Sequence, residues 1–252
     1  MDPYPIALVT GASSGIGAAC AQQLSQAGYA VILAARRQER LEKVAQTLAA
    51  TPQFHLIMDV RDPQQVKQSL ASLPTEWQPV DVLINNAGLS RGLHKLYEGE
   101  LSDWEEMIDT NIKGLLYVSR QILPGMVQRG RGHIINIGSI AGHYTYPNGN
   151  VYCATKAAVK AISEGLKMDL LGTPIRVTSV DPGLVETEFS EVRFRGDSER
   201  AAKVYQGIKA LTATDIAEVI LFCLSRPPHV NINEIILMPT DQASPTLVHR
   251  QS

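Results

Sequence analysis

The chain is expected to be an α/β protein: a doubly wound parallel sheet of about seven strands flanked by helices, one domain over 1–252. Two observations lead there. Short apolar runs rich in strand formers alternate with helix-forming segments throughout, with no linker and no shorter repeat. The first such run passes through a glycine-rich turn straight into a helix-forming segment. With 252 residues, 44% of them hydrophobic, the chain can bury an ample core without disulfides or metal.

Ile6–Thr10 reads as the first strand. Gly11-Ala12-Ser13-Ser14-Gly15-Ile16-Gly17 follows, then a helix to about Ala27, closed by Gly28. The three glycines permit a tight turn and let backbone approach a pyrophosphate, whose charge the free N–H groups at the helix start would meet. Their spacing is G-x-x-x-G-x-G, not the commoner G-x-G-x-x-G. Ala30–Ala35 is the second strand. An acidic residue at its end would favour NAD through the ribose hydroxyls, but Arg36-Arg37 stands there instead. Guanidinium forks suit the 2′-phosphate of NADP, and Ser13 or Ser14 would add a hydroxyl donor.

Arg37 to about Ala50 reads as helix and Phe54–Met58 as the third strand, with Asp59-Val60 placed to flank an adenine ring. Pro63 begins a helix ending near Leu73-Pro74. Val80–Ile84 is the fourth strand, and Asn85-Asn86-Ala87-Gly88 at its end would line a cofactor crevice. Leu101 to about Gln128 reads as one helix containing Asn111, with Ser102 as N-cap and Glu105 completing a capping box. Gly132–Ile137 is the fifth strand, followed by Gly138-Ser139. After the turn Pro147–Asn150, a helix runs to about Leu171 and puts Tyr152 and Lys156 on one face. An ammonium beside a phenol would lower its pKa by roughly 1–3 units, giving an acid/base usable near neutral pH.

Ile175–Val180 is the sixth strand and leads into Asp181–Thr187. Residues 188–207 carry Arg193, Arg195, Arg200 and Lys203, are broken by Gly196, and read as a helical lid. Thr214-Asp215 opens a helix to about Leu224, and Glu234–Met238 is the last strand. The polar tail 239–252 is expected on the surface or on a neighbouring subunit.

A net charge of −2 gives no support to nucleic-acid binding or electrostatic membrane attachment. The odd number of scattered cysteines, Cys20, Cys153 and Cys223, suits a reducing compartment, and Cys153, next to Tyr152, reads as a small packed core residue, with a reactive thiol as the alternative. No apolar run reaches the ~18 residues that span a bilayer, and Met1-Asp2-Pro3-Tyr4-Pro5 has no signal character, so a soluble cytoplasmic protein is expected. The six histidines show no metal-ligand spacing, and no metal is expected.

Taken together, Thr10–Gly17, Asn85-Asn86-Ala87-Gly88, Asn111, Ser139, Tyr152 with Lys156, and Pro182-Gly183 resemble the short-chain dehydrogenase/reductase family in order and spacing, over essentially the whole chain. Arg36–Leu41, Gly132–Ser139, Gly149–Tyr152, Val192–Asp197 and Val230–Asn233 look like its NADP-dependent 3-hydroxy acid dehydrogenase branch, which includes serine and allo-threonine dehydrogenases and malonic semialdehyde reductases. The resemblance implies a Rossmann-like fold, NADP(H) as cofactor, a small-molecule substrate and a homotetramer. It makes Tyr152 the acid/base, with Lys156 lowering its pKa and bonding the nicotinamide ribose. Ser139 would hold the reacting oxygen, and the Asn111 carbonyl would hold a water leading from Lys156 to solvent. Thr187 would contact the carboxamide, with Pro182, Gly183 and Val185 beside it. Among the expected substrate contacts, Arg193 or Arg195 would meet the carboxylate, while Ser139 and Tyr152 would meet the reacting oxygen. A carbonyl or 3-oxoacyl-carrier reductase is the alternative enzyme, and a non-catalytic NADP(H)-binding regulator the alternative class.

Overall fold

The computed structural model describes residues 4–251; Met1–Pro3, on which the reading of the N-terminus partly rests, and Ser252 of the tail lie outside them. Strands β1 (Ile6–Thr10), β2 (Ala30–Ala35), β3 (Gln53–Ile57), β4 (Val80–Asn85), β5 (Gly132–Ile137), β6 (Ile175–Pro182) and β7 (Glu234–Leu237) form one sheet. Its order is β3-β2-β1-β4-β5-β6-β7, and every neighbouring pair is parallel. A sheet covered on both faces needs strands apolar on both, and β1 and β2 are buried at every residue.

Helices α1 (Gly15–Gln26), α2 (Gln38–Ala45) and α3 (Pro63–Ala71) follow the first three strands. α4 (Leu101–Ile108) and α5 (Leu115–Arg129) come between β4 and β5, and α6 (Asn150–Asp169) between β5 and β6. α7 (Phe189–Arg193), α8 (Ser198–Tyr205) and α9 (Ala213–Leu224) precede β7. One core layer packs α1, α2 and α9 on the sheet through Cys20, Leu24, Leu41, Ile216, Ile220 and Cys223. The other packs α3, α5 and the end of α6 through Val66, Val118, Ile122, Met126 and Leu170.

Several boundaries differ from the sequence reading. The expected helix Leu101–Gln128 is two helices joined by a π-helical turn, Asp109–Gly114. Ser102 is not an N-cap: α4 begins one residue earlier, with Glu100 at the cap position and no capping side chain. The side-chain caps of the α-helices fall elsewhere, on Asp62 at α3, Asp197 at α8 and Thr212 at α9, where Thr212 and Asp215 form a full capping box. α2 stops at Ala45, where the backbone tightens: the Thr47 and Leu48 amides bond the carbonyls three residues back.

Candidate active site

Strand order reverses between β1 and β4, so the segments leaving their carboxyl ends diverge and open a crevice there. It holds a cavity of about 530 Å³. Gly11 and Gly15 take φ of +65° and +51°, which glycine adopts without strain. A Cβ on Gly17 would lie 2.4 Å from the Gly11 carbonyl oxygen and 2.5 Å from Asn86 Nδ2. Asn86 Nδ2 in turn donates to the carbonyls of Thr10 (2.9 Å) and Gly11 (3.2 Å), and Thr10 Oγ1 accepts from the Asn86 and Ala87 amides at 3.0 Å. Turn and strand end are thereby locked with the first N–H groups of α1 free of helical acceptors, while Ser14, at its N-cap, makes no side-chain cap bond. This is a cradle for an anionic group.

At the end of β2, Arg36, Arg37 and Arg40 crowd one another. Burial, then repulsion from Arg40, pulls the Arg37 guanidinium below its ordinary value; Glu188 opposes and Arg36 adds to the repulsion. Arg36 is half-exposed on the cavity wall, 4.0 Å from Asp59. Burial acts to raise the Asp59 carboxyl, but hydrogen bonds and charge from Arg61, with Arg36 further off, hold it below the usual range. Two arginines and donor hydroxyls at a cavity rim fit a dianionic phosphate, and the glycine cradle fits a pyrophosphate.

The opposite end of the cavity is built by β5, α6 and the segment after β6. Ser139 starts a short 3₁₀ turn (Ile140–Gly142); its Oγ accepts from the Ala141 amide (3.1 Å) and donates to the Pro182 carbonyl (3.4 Å). Tyr152 and Lys156 are almost fully buried. Lys156 Nζ lies 6.0 Å from the Tyr152 ring centre and donates to the Ile137 carbonyl at 2.8 Å. The expectation that this ammonium depresses the phenol does not hold here. Burial, then Tyr146, pushes Tyr152 well above its ordinary value, against the opposing pull of Arg193 and Ser139. Burial likewise lowers Lys156 to about 8, opposed by Asp181. Removal from water disfavours both charged forms, and the ammonium is spent on a carbonyl rather than on the phenol oxygen.

The π turn in the α4–α5 region widens the helix at Asn111, whose side chain reaches the strap after β4. Asn111 Nδ2 donates to the Leu89 carbonyl (2.8 Å) and Thr155 Oγ1 (3.0 Å), and its Oδ1 accepts from the Leu89 amide (2.8 Å). Asn111 thus stands behind the cavity wall, as does Gly17. The wall itself includes Gly11, Ser13, Ser14, Gly15, Ile16, Arg36, Arg37, Asp59, Val60, Asn86, Ala87 and Gly88. At the far end it includes Ser139, Tyr152, Lys156, Pro182, Gly183, Val185 and Thr187, with Thr187 3.4 Å from the Cβ position of Gly15.

Arg193 and Arg195, the two expected contacts of a substrate carboxylate, have different surroundings. Arg193 lines the cavity, with its Cζ 5.4 Å from the Tyr152 ring centre and 5.2 Å from that of Phe189. It donates from Nη2 to the Tyr146 hydroxyl (3.2 Å), and among the described residues its buried Nε has no acceptor. Arg195 lies outside the cavity wall, and its guanidinium is taken by Asp103 of α4. Much of the tail is exposed, Leu247 and His249 among it, while Gln242, Pro245, Val248 and Arg250 also line the cavity, and Arg250 bonds the Val204 and Gln206 carbonyls. Sequence reading missed these residues and Tyr146, because their place depends on how distant segments fold back. It also missed that His143, Asp181 and Glu234, far apart in the chain, bring donor atoms within 4.8 Å of one another.

Residues 5–197 match the short chain dehydrogenase family. The NADP-dependent 3-hydroxy acid dehydrogenase YdfG of Escherichia coli K12 is 49% identical over 98% of this chain and 100% of its own. The serine 3-dehydrogenase of Rhizobium radiobacter is 44% identical over 94% of each chain. A solved closed form of serine dehydrogenase complexed with NADP+ superposes with a TM-score of 0.93 at 49% identity, covering 98% of this chain and 100% of that one.

Proposed function

The chain belongs to the short-chain dehydrogenase family, and on that premise we propose that it is an NADP(H)-dependent oxidoreductase of small 3-hydroxy and 3-oxo acids. The observation that carries the substrate class is Arg193, a cation stacked on the Tyr152 ring with a buried nitrogen that lacks an acceptor among the described residues. A carboxylate is the group that completes such a site, because a guanidinium binds it through two parallel hydrogen bonds.

The glycine turn, Asn86 and the start of α1 hold the pyrophosphate, and Arg36 and Arg37 with Ser13 or Ser14 hold the 2′-phosphate. Asp59 and Val60 flank the adenine, while Pro182, Gly183, Val185 and Thr187 lie along the nicotinamide end. When bound, NADP(H) supplies the hydride for reduction and receives it in oxidation. Tyr152, kept protonated by burial, gives its hydroxyl proton to the substrate oxygen during reduction and takes it back in oxidation. Ser139 Oγ holds the same oxygen. Lys156 bonds the cofactor ribose and stays charged below about pH 8. α7 and α8 act as the lid that carries Arg193 over the substrate.

Arg193→Ala should raise KM for short 3-hydroxy acids and lower kcat/KM about 10- to 100-fold, the loss of roughly 1.5–3 kcal/mol for hydrogen bonds to a charged group. NADPH binding should not change. An unchanged KM would remove Arg193 from the substrate site. Tyr152→Phe should abolish turnover while the protein still binds NADPH, and full residual activity would refute the assignment of the acid/base. The protein is further proposed to act in the cytoplasm as a homotetramer, in which Leu101, Ile108, Leu116 and Met168, exposed on α4, α5 and α6, would be covered. Sedimentation equilibrium tests it.

A further inference from the structure

Behind the Ser139 turn lies a charged cluster that plays no part in the reaction as described. Asp181 of β6 is 1% exposed and stands outside the cavity wall. Its Oδ2 lies 2.5 Å from His143 Nε2, and its Oδ1 accepts from Ser179 Oγ at 2.5 Å. His143 caps the far end of the 3₁₀ turn that Ser139 begins. The near end bonds the Pro182 carbonyl through Ser139 Oγ. Adjacent residues of β6 therefore hold both ends of the turn.

The other side of the carboxylate is equally restricted. A Cβ on Gly138 would come within 2.0 Å of Asp181 Oδ1, so the carboxylate presses directly on that backbone. The Ile137 carbonyl, which belongs to the peptide bond entering Gly138, accepts from Lys156 Nζ. A single peptide unit thus lies between a buried anion and a buried cation. Among the described residues, the other charges paired into the cluster are Glu234 at the head of β7 and, through it, Lys160 on α6. Glu234 lies 3.6 Å from both His143 Nε2 and Lys160 Nζ, and Lys160 also pairs with Glu164. Both are about one-third exposed and largely offset each other, whereas Asp181 and Lys156 are buried.

We propose that Asp181, held by His143 and Ser179, is a positioning residue of this site: it fixes the Ser139 turn on β6 and is the buried counter-charge of Lys156. The assignment rests on the roles given above to Ser139, Tyr152 and Lys156. The direction of the Lys156 shift agrees with it, since burial pulls the ammonium down and the Asp181 charge opposes that pull.

The test separates the two parts. Asp181→Asn keeps the shape and removes the charge. It should lower kcat at least tenfold with little change in KM, and should move the alkaline limb of the kcat/KM profile to lower pH, because Lys156 then loses its proton earlier. His143→Ala leaves the charge and loosens the turn, so kcat should fall while the limb stays; His143→Gln, which restores a donor, should recover most of the rate. An unmoved limb in folded Asp181→Asn overturns the counter-charge. Wild-type kcat in His143→Ala overturns the positioning role, and this variant decides alone if Asp181→Asn does not fold. NADPH fluorescence titration checks in each case that the crevice is intact. Failure of the parent reading shows separately, as undiminished turnover in Tyr152→Phe.

Discussion

Replacing Asn111 by alanine would remove three hydrogen bonds at a residue that is 2% exposed. The amide and carbonyl of Leu89, itself 6% exposed, would both lose their partner. Thr155 Oγ1 would keep its bond to the Tyr152 carbonyl and contribute little. A buried group left unsatisfied costs about 1–3 kcal/mol, so two cost roughly 2–6 kcal/mol. At about 2–4 °C per kcal/mol for a chain of this size, a mid-range loss of about 3–4 kcal/mol lowers Tm by roughly 6–16 °C. The strap from Gly88 to Leu89 lines the cavity, so turnover at 25 °C should fall as well. Circular-dichroism melts and initial rates on the same preparation measure both. A melt within about 2 °C of the native one, with native rates, would mean that these bonds do not hold the strap.

Two further outcomes are expected. His133 in β5 is buried, and removal from water, with Arg176 adding, lowers its pKa to about 3. Between about pH 3 and its unfolded value near 6.5 the unfolded chain binds a proton that the folded chain refuses. Stability is therefore full above that window and falls as pH drops through it, by about 2 kcal/mol at pH 5 at roughly 1.4 kcal/mol per unit. Melts at pH 7 and pH 5 should diverge less in His133→Gln than in the native protein, and parallel losses would argue against the buried imidazole. Replacing Arg36 and Arg37 by Asp and Ala should weaken NADPH about 10- to 100-fold more than NADH, read by fluorescence titration, from the loss of charge-assisted hydrogen bonds of roughly 1.5–3 kcal/mol. Equal losses for the two would mean that these arginines do not read the 2′-phosphate.

Strand runs and the glycine turn were legible because their signal is local. Four to six apolar residues in a row, or glycine where φ must be positive, need no knowledge of the remainder of the chain. Tyr152 and Lys156 were legible as a pair on one helix face, yet the direction of the phenol's shift was not. It depends on how deeply both groups are buried and on the Ile137 carbonyl that takes up the ammonium. The π turn at Asp109–Gly114 leaves no periodic mark over so few residues, and Ser102 with Glu105 has the pattern of a capping box although the cap position falls two residues earlier, at Glu100. Arg193 and Arg195 are nearly adjacent in sequence, but Asp103 takes the second and the cavity the first. The link between His143 and Asp181 joins segments far apart in the chain, and no spacing rule reaches it.

The three cysteines are free and buried in two different parts of the molecule: Cys20 and Cys223 in the α1–α9 layer, Cys153 beside Tyr152 with Leu89, Met107 and Ala141. Burial pushes the Cys20 thiol up to about 12 and Cys223 to about 11, and it raises Cys153 as well. An alkylating reagent therefore finds no thiolate until the chain opens locally. The order in which these sulfurs become labelled would serve as a built-in clock, telling whether the reaction chamber or the outer helical layer loosens first.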